Sequence, residues 1–246
     1  MSRHRRLVGL LGVGVAVACC GVGVAWAAVT PPAGTPDLAL MVLQPADLAP
    51  GAVSGAQGYV APPKGLTAQY AADFTTASSP DGVNYSLLVD DVAVGPTASA
   101  SSAYFVAQRK SIASTKGRRG IVRSILHSAA KADHLKAKDV KFSAAGSAGV
   151  GTSSYIETLT ISTKHRKLRE ILLVFDDGTA EADLVLAGEV NERIPRSDAT
   201  GLATTLNMHI ESVLATGATG PSGASGASGL SGASGVSGTS GASGSS

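Results

Sequence analysis

Apolar and polar residues follow regular spacings through the middle of the chain, and these spacings predict strands and helices in a definite order. Alternation with a period of two indicates a strand, and apolar residues three or four apart indicate a helix. Helices are expected at 96–113 and 198–215, capped by Thr97 and Ser197, with another after a break at 117–120. Strands are expected at 53–60, 68–76, 83–94, 140–142, 153–162, 168–175 and 179–187.

Two turn sequences connect neighbouring strands in this pattern. They lie at residues 78–82 and at Asp176-Asp177-Gly178, and both have the Asp and Gly residues of a tight hairpin loop. Strands in hairpin series, with helices between the groups, predict an antiparallel sheet rather than parallel βαβ units. We therefore expect an α+β domain over residues 37–216, with an antiparallel sheet covered on one side by two to three helices.

The first 29 residues have the pattern of an export signal. A basic start with Arg3, Arg5 and Arg6 precedes an uncharged stretch at 7–29, which is also long enough to span a membrane as a helix. Three interpretations stay open: a signal peptide cleaved after Ala27, a retained N-terminal membrane anchor, and a lipoprotein processed at Cys19. In each one the positive end marks the cytoplasmic side, so the domain is expected to be extracytoplasmic, either secreted or anchored to the cell membrane by this segment.

The chain ends in a low-complexity segment. From residue 217 to 246 glycine occurs at every third position, in ten Gly-X-Y triplets whose third residue is always Ser or Thr. Strict glycine periodicity resembles a short collagen-like region. Because Pro221 is the single proline of the repeat, the composition favours a flexible, disordered tail instead. At the other end of the domain, residues 30–36 are expected to form a linker.

Composition narrows the classes of function. The formal net charge of +2 includes the three leader arginines, and without them 17 basic residues stand against 18 acidic ones. A nucleic-acid-binding domain is usually strongly basic, so no nucleic-acid partner is expected. Both cysteines, Cys19 and Cys20, lie in the leader, which leaves the domain without a disulfide or a thiolate metal site.

Positive charge is concentrated in one segment. Ten Lys and Arg residues lie between Arg109 and Lys141, against only Asp133 and Asp139. Outside a membrane, such a segment predicts contact with an anionic envelope polymer, lipid head groups or a protein partner, although a solvated helix face is the alternative. Reversing Arg118, Arg119 and Arg123 is expected to abolish binding and leave the fold intact. The candidate anion-binding residues are Arg109, Lys110, Lys116, Arg118, Arg119 and Arg123.

The sequence contains no convincing catalytic motif. There is no nucleophile elbow, and the glycines at 146–151 have the wrong order for a dinucleotide turn and are expected to form a mobile loop. Four histidines outside the leader lack a placed carboxylate for a zinc site. Asp90 and Asp91 should point to opposite faces of a strand and are interpreted as a bulge or a cation-facing edge. We expect a domain that is not an enzyme and holds no cofactor or metal.

The order of the elements, together with the leader, resembles the small exported and lipoprotein α+β domains of actinobacteria, some of which have a PsbP-like layout. The resemblance covers about residues 37–215. Such domains are mostly non-enzymatic, so no functional residue carries over from the resemblance. Two functions therefore stay open: an exported binding domain of the cell envelope that acts through its basic segment, and a structural or surface-display protein whose Gly-X-Ser tail is the functional part.

Overall fold

The structure, a computed structural model, describes residues 29–76, 85–128, 135–143, 145–162, 167–189 and 195–220. Its centre is one antiparallel sheet with the strand order β1-β2-β3-β7-β6-β5-β4. The strands are β1 (Val53–Val60), β2 (Ala68–Thr75), β3 (Leu87–Val94), β4 (Val140–Phe142), β5 (Ser153–Ser162), β6 (Lys167–Asp177) and β7 (Ala180–Glu189). The α-helices within the described residues are α1 (Ala98–Ala113), α2 (Thr115–Ser128) and α3 (Arg196–Thr216). The predicted α+β class is confirmed.

Helices cover both faces of this sheet. On one face, Leu206 and Ile210 of α3 pack with Ile171, Leu173 and Phe175 of β6. A short 3-10 turn at Leu38–Leu40 adds its buried Leu38 to the same cluster.

On the other face, α1 and α2 pack against the alternate residues of the same strands. Phe105 of α1 and Ile125 of α2 form a cluster with Leu172 and Val174 of β6 and Val185 of β7. The expectation of a sheet covered on one side was therefore wrong. The physical reason lies in the uninterrupted apolar run of β6, which is typical of a strand buried on both faces.

The starts of the helices differ from the predicted ones by up to several residues. Thr97 caps α1 as predicted, because its Oγ1 accepts a hydrogen bond of 3.2 Å from the Ala100 amide. The helix α3 begins two residues earlier than expected, with Pro195 at the N-cap position, so Ser197 lies inside its first turn. The helix α2 begins at Thr115 and includes Gly117, where a Cβ atom would lie 1.8 Å from the Ser111 carbonyl oxygen.

The two ends of the described chain lie side by side at the β1 edge of the sheet. The Asp37 amide donates to the Ala218 carbonyl at 2.9 Å, and the Gly220 amide donates to the Thr35 carbonyl at 3.0 Å. The Val29 amide donates to the Tyr59 carbonyl of β1 at 3.2 Å. The segment predicted to be a linker thus contacts the residues that follow α3.

Several predictions fall on other parts of the chain. Most of the leader (1–28), the loop at 78–82 and most of the Gly-X-Y repeat (221–246) lie outside the described residues. Among the helices that are described, none has the length and apolar character needed to cross a membrane.

The loop at 146–151, expected to be mobile, is tied to β5. The amides of Ala148 and Gly149 both donate to Ser154 Oγ at 3.0 Å. Gly151 has φ +60°, and a Cβ atom there would lie 2.5 Å from the Asp176 carbonyl oxygen.

Two glycine substitutions test this backbone geometry. We expect Gly151→Ala to destabilise the domain by about 2 kcal/mol or more, for two reasons. Alanine is strained at the positive φ of this position, and its methyl group would collide with the Asp176 carbonyl oxygen. Gly201→Ala, at an exposed position inside α3 with open space around the added methyl group, should stabilise it by about 0.5–1 kcal/mol. Urea unfolding followed by far-ultraviolet circular dichroism measures both, and effects of the same sign would contradict the described loop.

Candidate functional site

Five of the six predicted anion-binding residues are exposed on α1 and α2. They form what we call the basic surface, composed of Arg109, Lys110, Lys116, Arg119 and Arg123. The two helices contain no aspartate or glutamate. Their positive charge is therefore not balanced by a carboxylate of the same helices, and the residues are available to a ligand in solvent.

Arg118, the sixth predicted residue, is engaged with the sheet. Its Nη2 atom forms an ion pair with Oε1 of Glu157, whose side chain is completely buried on β5. The Tyr155 hydroxyl donates to the other carboxylate oxygen of Glu157 at 2.8 Å. Burial and this hydrogen bond raise the pKa of Tyr155 to about 12, so the phenol keeps its proton and can donate.

The Arg118 guanidinium also lies 5.2 Å from the centroid of the Phe142 ring on β4. It therefore connects α2 to β4 and β5. Reversing its charge would place a second carboxylate against the buried Glu157, so the expectation that this reversal leaves the fold intact does not hold for Arg118.

The basic surface lies far from the sheet edge beside which the two ends of the described chain lie. Arg109 and Arg118 are placed over β5 and β4 through Tyr155, Glu157 and Phe142. The ends of the described chain contact β1, which is five strand spacings from β5. At about 4.8 Å per spacing, the separation across the sheet is about 24 Å.

A second group of ionisable residues lies inside the domain. Asp90 and Asp91 point to opposite faces of β3, as predicted. The strand β3 pairs in regular register with both β2 and β7 at these positions, so their interpretation as a bulge or an edge was wrong. Asp90 Oδ2 accepts a hydrogen bond of 2.6 Å from the Leu43 amide beneath α3.

Asp91 instead belongs to what we call the carboxylate cluster, which consists of Asp91, Glu181 and Asp183. A carboxylate oxygen from each residue lies within 4.8 Å of the others, and all three side chains are buried. Asp91 and Asp183 are directly opposite each other on β3 and β7. Gln69 Nε2 donates to Asp91 Oδ1 at 3.0 Å, and Gln108 Nε2 of α1 donates to Asp183 Oδ2 at 2.8 Å.

The electrostatics of the carboxylate cluster favour a bound positive charge or a proton. Burial raises the pKa of Glu181 well above its usual value, and repulsion from Asp183, Asp91 and Asp176 adds to the effect. Asp176 is paired with Glu181 across the β6–β7 hairpin. The turn alone therefore does not account for Asp176, which was assigned only a turn role from the sequence.

Sequence reasoning missed the carboxylate cluster as a whole. A signal for it exists in β7, where Glu181 and Asp183 are two residues apart in an otherwise apolar strand. Residues at that spacing share one face of a strand. The partners on β2, β3 and α1, namely Gln69, Asp91 and Gln108, follow only from the strand order and from the packing of α1.

Comparison with known proteins finds a structural similarity but no matching family. No protein-family model matches the chain. No curated protein matches it either. The chain is similar to the extracellular domain of PknH from Mycobacterium tuberculosis, with 10% sequence identity, a TM-score of 0.45, and coverage of 71% of this chain and 95% of that one. No residue of the basic surface or of the carboxylate cluster takes a role from this likeness.

The role of Arg118 can be separated from that of its neighbour by matched substitutions. We expect Arg118→Met to destabilise the domain by about 2 kcal/mol or more, because Glu157 would keep a buried charge without its cation. Arg119→Met, at an exposed position of the same helix, should leave the free energy of unfolding nearly unchanged. Adding Glu157→Gln to Arg118→Met should recover part of the loss in urea unfolding, and no recovery would argue against the ion pair.

Asp90 should make the stability of the domain depend on pH. Burial raises its pKa from 3.8 to about 8, so the folded state keeps a proton that the unfolded chain loses. Stability contributed by this carboxyl is therefore complete below about pH 4 and is lost as the pH rises towards about 8. Asp90→Asn, which keeps an acceptor for the Leu43 amide, should flatten the decline of the thermal midpoint between those values. An unchanged slope would contradict the assignment.

Proposed function

We propose that this protein is an extracytoplasmic, non-catalytic binding domain that holds a phosphate-bearing polymer of the cell envelope on its basic surface. The observation that carries the proposal is the charge of α1 and α2, which have six cations and no carboxylate. Within the part of the chain that the structure describes, Arg118 is the one of these six that pairs with a carboxylate.

Several exposed cations on adjacent helices suit a repeating anion better than a single small one. Exposed charges in water interact weakly one at a time, so affinity accumulates over several contacts along a polymer. Lys and Arg are the usual partners of phosphate groups, and the basic surface provides both. An exported leader, as the sequence predicts, would bring this surface to the compartment in which such polymers occur.

The position of the chain ends supports a polymer rather than the lipid head groups of an anchoring membrane. An uncleaved N-terminal segment would enter the domain at Val29, beside β1. The basic surface lies about 24 Å away across the sheet. A membrane anchor at the β1 edge would therefore leave the cations of α1 and α2 about 24 Å from their point of attachment.

Matched charge reversals test the proposal. The full chain, purified in mild detergent, is applied to immobilised poly(glycerol phosphate) and to vesicles of phosphatidylglycerol. Arg119→Glu changes the charge by two units, and each unit near an anionic surface is worth up to about 1 kcal/mol. The substitution should therefore weaken binding to the polymer by about 5- to 30-fold. Lys64→Glu, an equal change at an exposed position between β1 and β2, should not. Binding of the unaltered chain should fall as salt is added.

The other outcomes separate the remaining interpretations. Equal weakening by both reversals would indicate a general effect of net charge and would contradict a specific basic surface. Binding to the vesicles alone would replace the polymer with a lipid surface. A chain without residues 221–246 should still bind the polymer, whereas loss of binding on this truncation would favour the alternative in which the Gly-X-Ser tail is the functional part.

A further inference from the structure

Several buried oxygen atoms in and around the carboxylate cluster have no hydrogen-bond partner among the described residues. Glu181 Oε1 is buried without a hydrogen-bond partner among the described residues, and so is Oδ1 of the adjacent Asp176. The amide oxygens of Gln69 and Gln108 are likewise buried and without a partner there. Buried polar atoms in a folded domain are normally paired, so this concentration of orphaned oxygens needs a physical explanation.

The two glutamines point into the carboxylate cluster. Gln69 on β2 is 2% exposed and reaches Asp91, while Gln108 on α1 is 8% exposed and reaches Asp183. A half-turn of either amide exchanges its Nε2 and Oε1 atoms without moving the rest of the side chain. Each glutamine can therefore present a carbonyl oxygen to the same point that its amide nitrogen now faces.

Carboxylate and amide oxygens brought together in this way are the ligands of a hard divalent cation. Calcium takes six to eight such oxygens in a flexible arrangement, whereas magnesium keeps several of its waters and demands octahedral geometry. A buried set with three carboxylates and two amides matches the first requirement better. We propose that Asp91, Glu181 and Asp183 bind one divalent cation of the calcium type, with the amide oxygens of Gln69 and Gln108 as further ligands.

Calorimetric titration of the full chain with calcium chloride tests the proposal, after removal of bound metal with EDTA and with long equilibration because the cluster lies beneath α1. We expect one ion bound per chain at pH 7.5, and a rise of about 5–10 °C in the thermal midpoint at a calcium concentration 100 times the dissociation constant. Magnesium at the same concentration should give a smaller shift.

Substitutions then locate the ion. Asp183→Asn and Asp91→Asn should each abolish the calcium-dependent shift, and two variants are used so that a folding defect in one does not prevent the test. The matched control is Glu170→Gln, because Glu170 is a buried carboxyl on β6 outside the carboxylate cluster. Its variant should keep the full response.

Two results would overturn the proposal. One is the absence of both binding and a thermal shift in the unaltered chain at millimolar calcium and pH 7.5. The other is a calcium response that survives in Asp183→Asn and Asp91→Asn, or that is lost equally in Glu170→Gln, since the ion would then be bound elsewhere.

Discussion

The strands β6 and β7 are buried on both of their faces, and both helical layers are placed by this requirement. Alternate residues of β6 contribute to opposite clusters, with Ile171 and Leu173 towards α3 and Leu172 and Val174 towards α1 and α2. Each large apolar side chain removed from water contributes about 1.5–3 kcal/mol. A sheet with only one helical layer would expose half of these residues, so the second layer is a physical consequence of the composition of β6 and β7.

The burial of the central strands on both faces also determines how their acidic residues are stabilised. A carboxylate in such a strand loses its water on either face, and the domain compensates by pairing or by protonation. Glu157 pairs with Arg118, whereas Asp90 and Glu181 favour a proton, and Asp90 also accepts a hydrogen bond from the Leu43 amide. Among the described residues, the carboxylate cluster alone combines several acids with orphaned amide oxygens, and we therefore propose a cation as its partner.

The local patterns in the sequence predicted the elements well because the forces behind them are local. The Thr97 cap and the hairpin after Asp177 depend on neighbouring residues, and both are present. The predicted start of α3 was wrong. Pro195 has a backbone conformation suited to the N-cap position and occupies it, although the side chain of Ser197 could have capped a helix beginning later.

The candidate sites could be predicted only in part, because they depend on which strands become neighbours. The charge of α1 and α2 can be counted along the chain. The inward orientation of Arg118 could not be derived from the sequence. Its partner Glu157 is 39 residues away, and the two side chains meet only because α2 packs on β5. The pairing of Asp91 with Asp183 likewise needs β3 beside β7, an arrangement in which the strands that follow β3 in the chain lie on the far side of β7.

The helix α1 connects the two proposed sites. Gln108 faces the sheet and contacts Asp183, whereas the next residue, Arg109, is exposed and belongs to the basic surface. A cation held by Gln108 and the carboxylate cluster would add a fixed point between α1 and the sheet, two residues from Lys110. A polymer with regularly spaced phosphates binds best to cations at fixed separations. If the bound cation orders α1, the basic surface loses less conformational entropy when it binds its ligand. The interior carboxylates and the exterior cations are thus physically linked through one helix, although their ligands carry opposite charge.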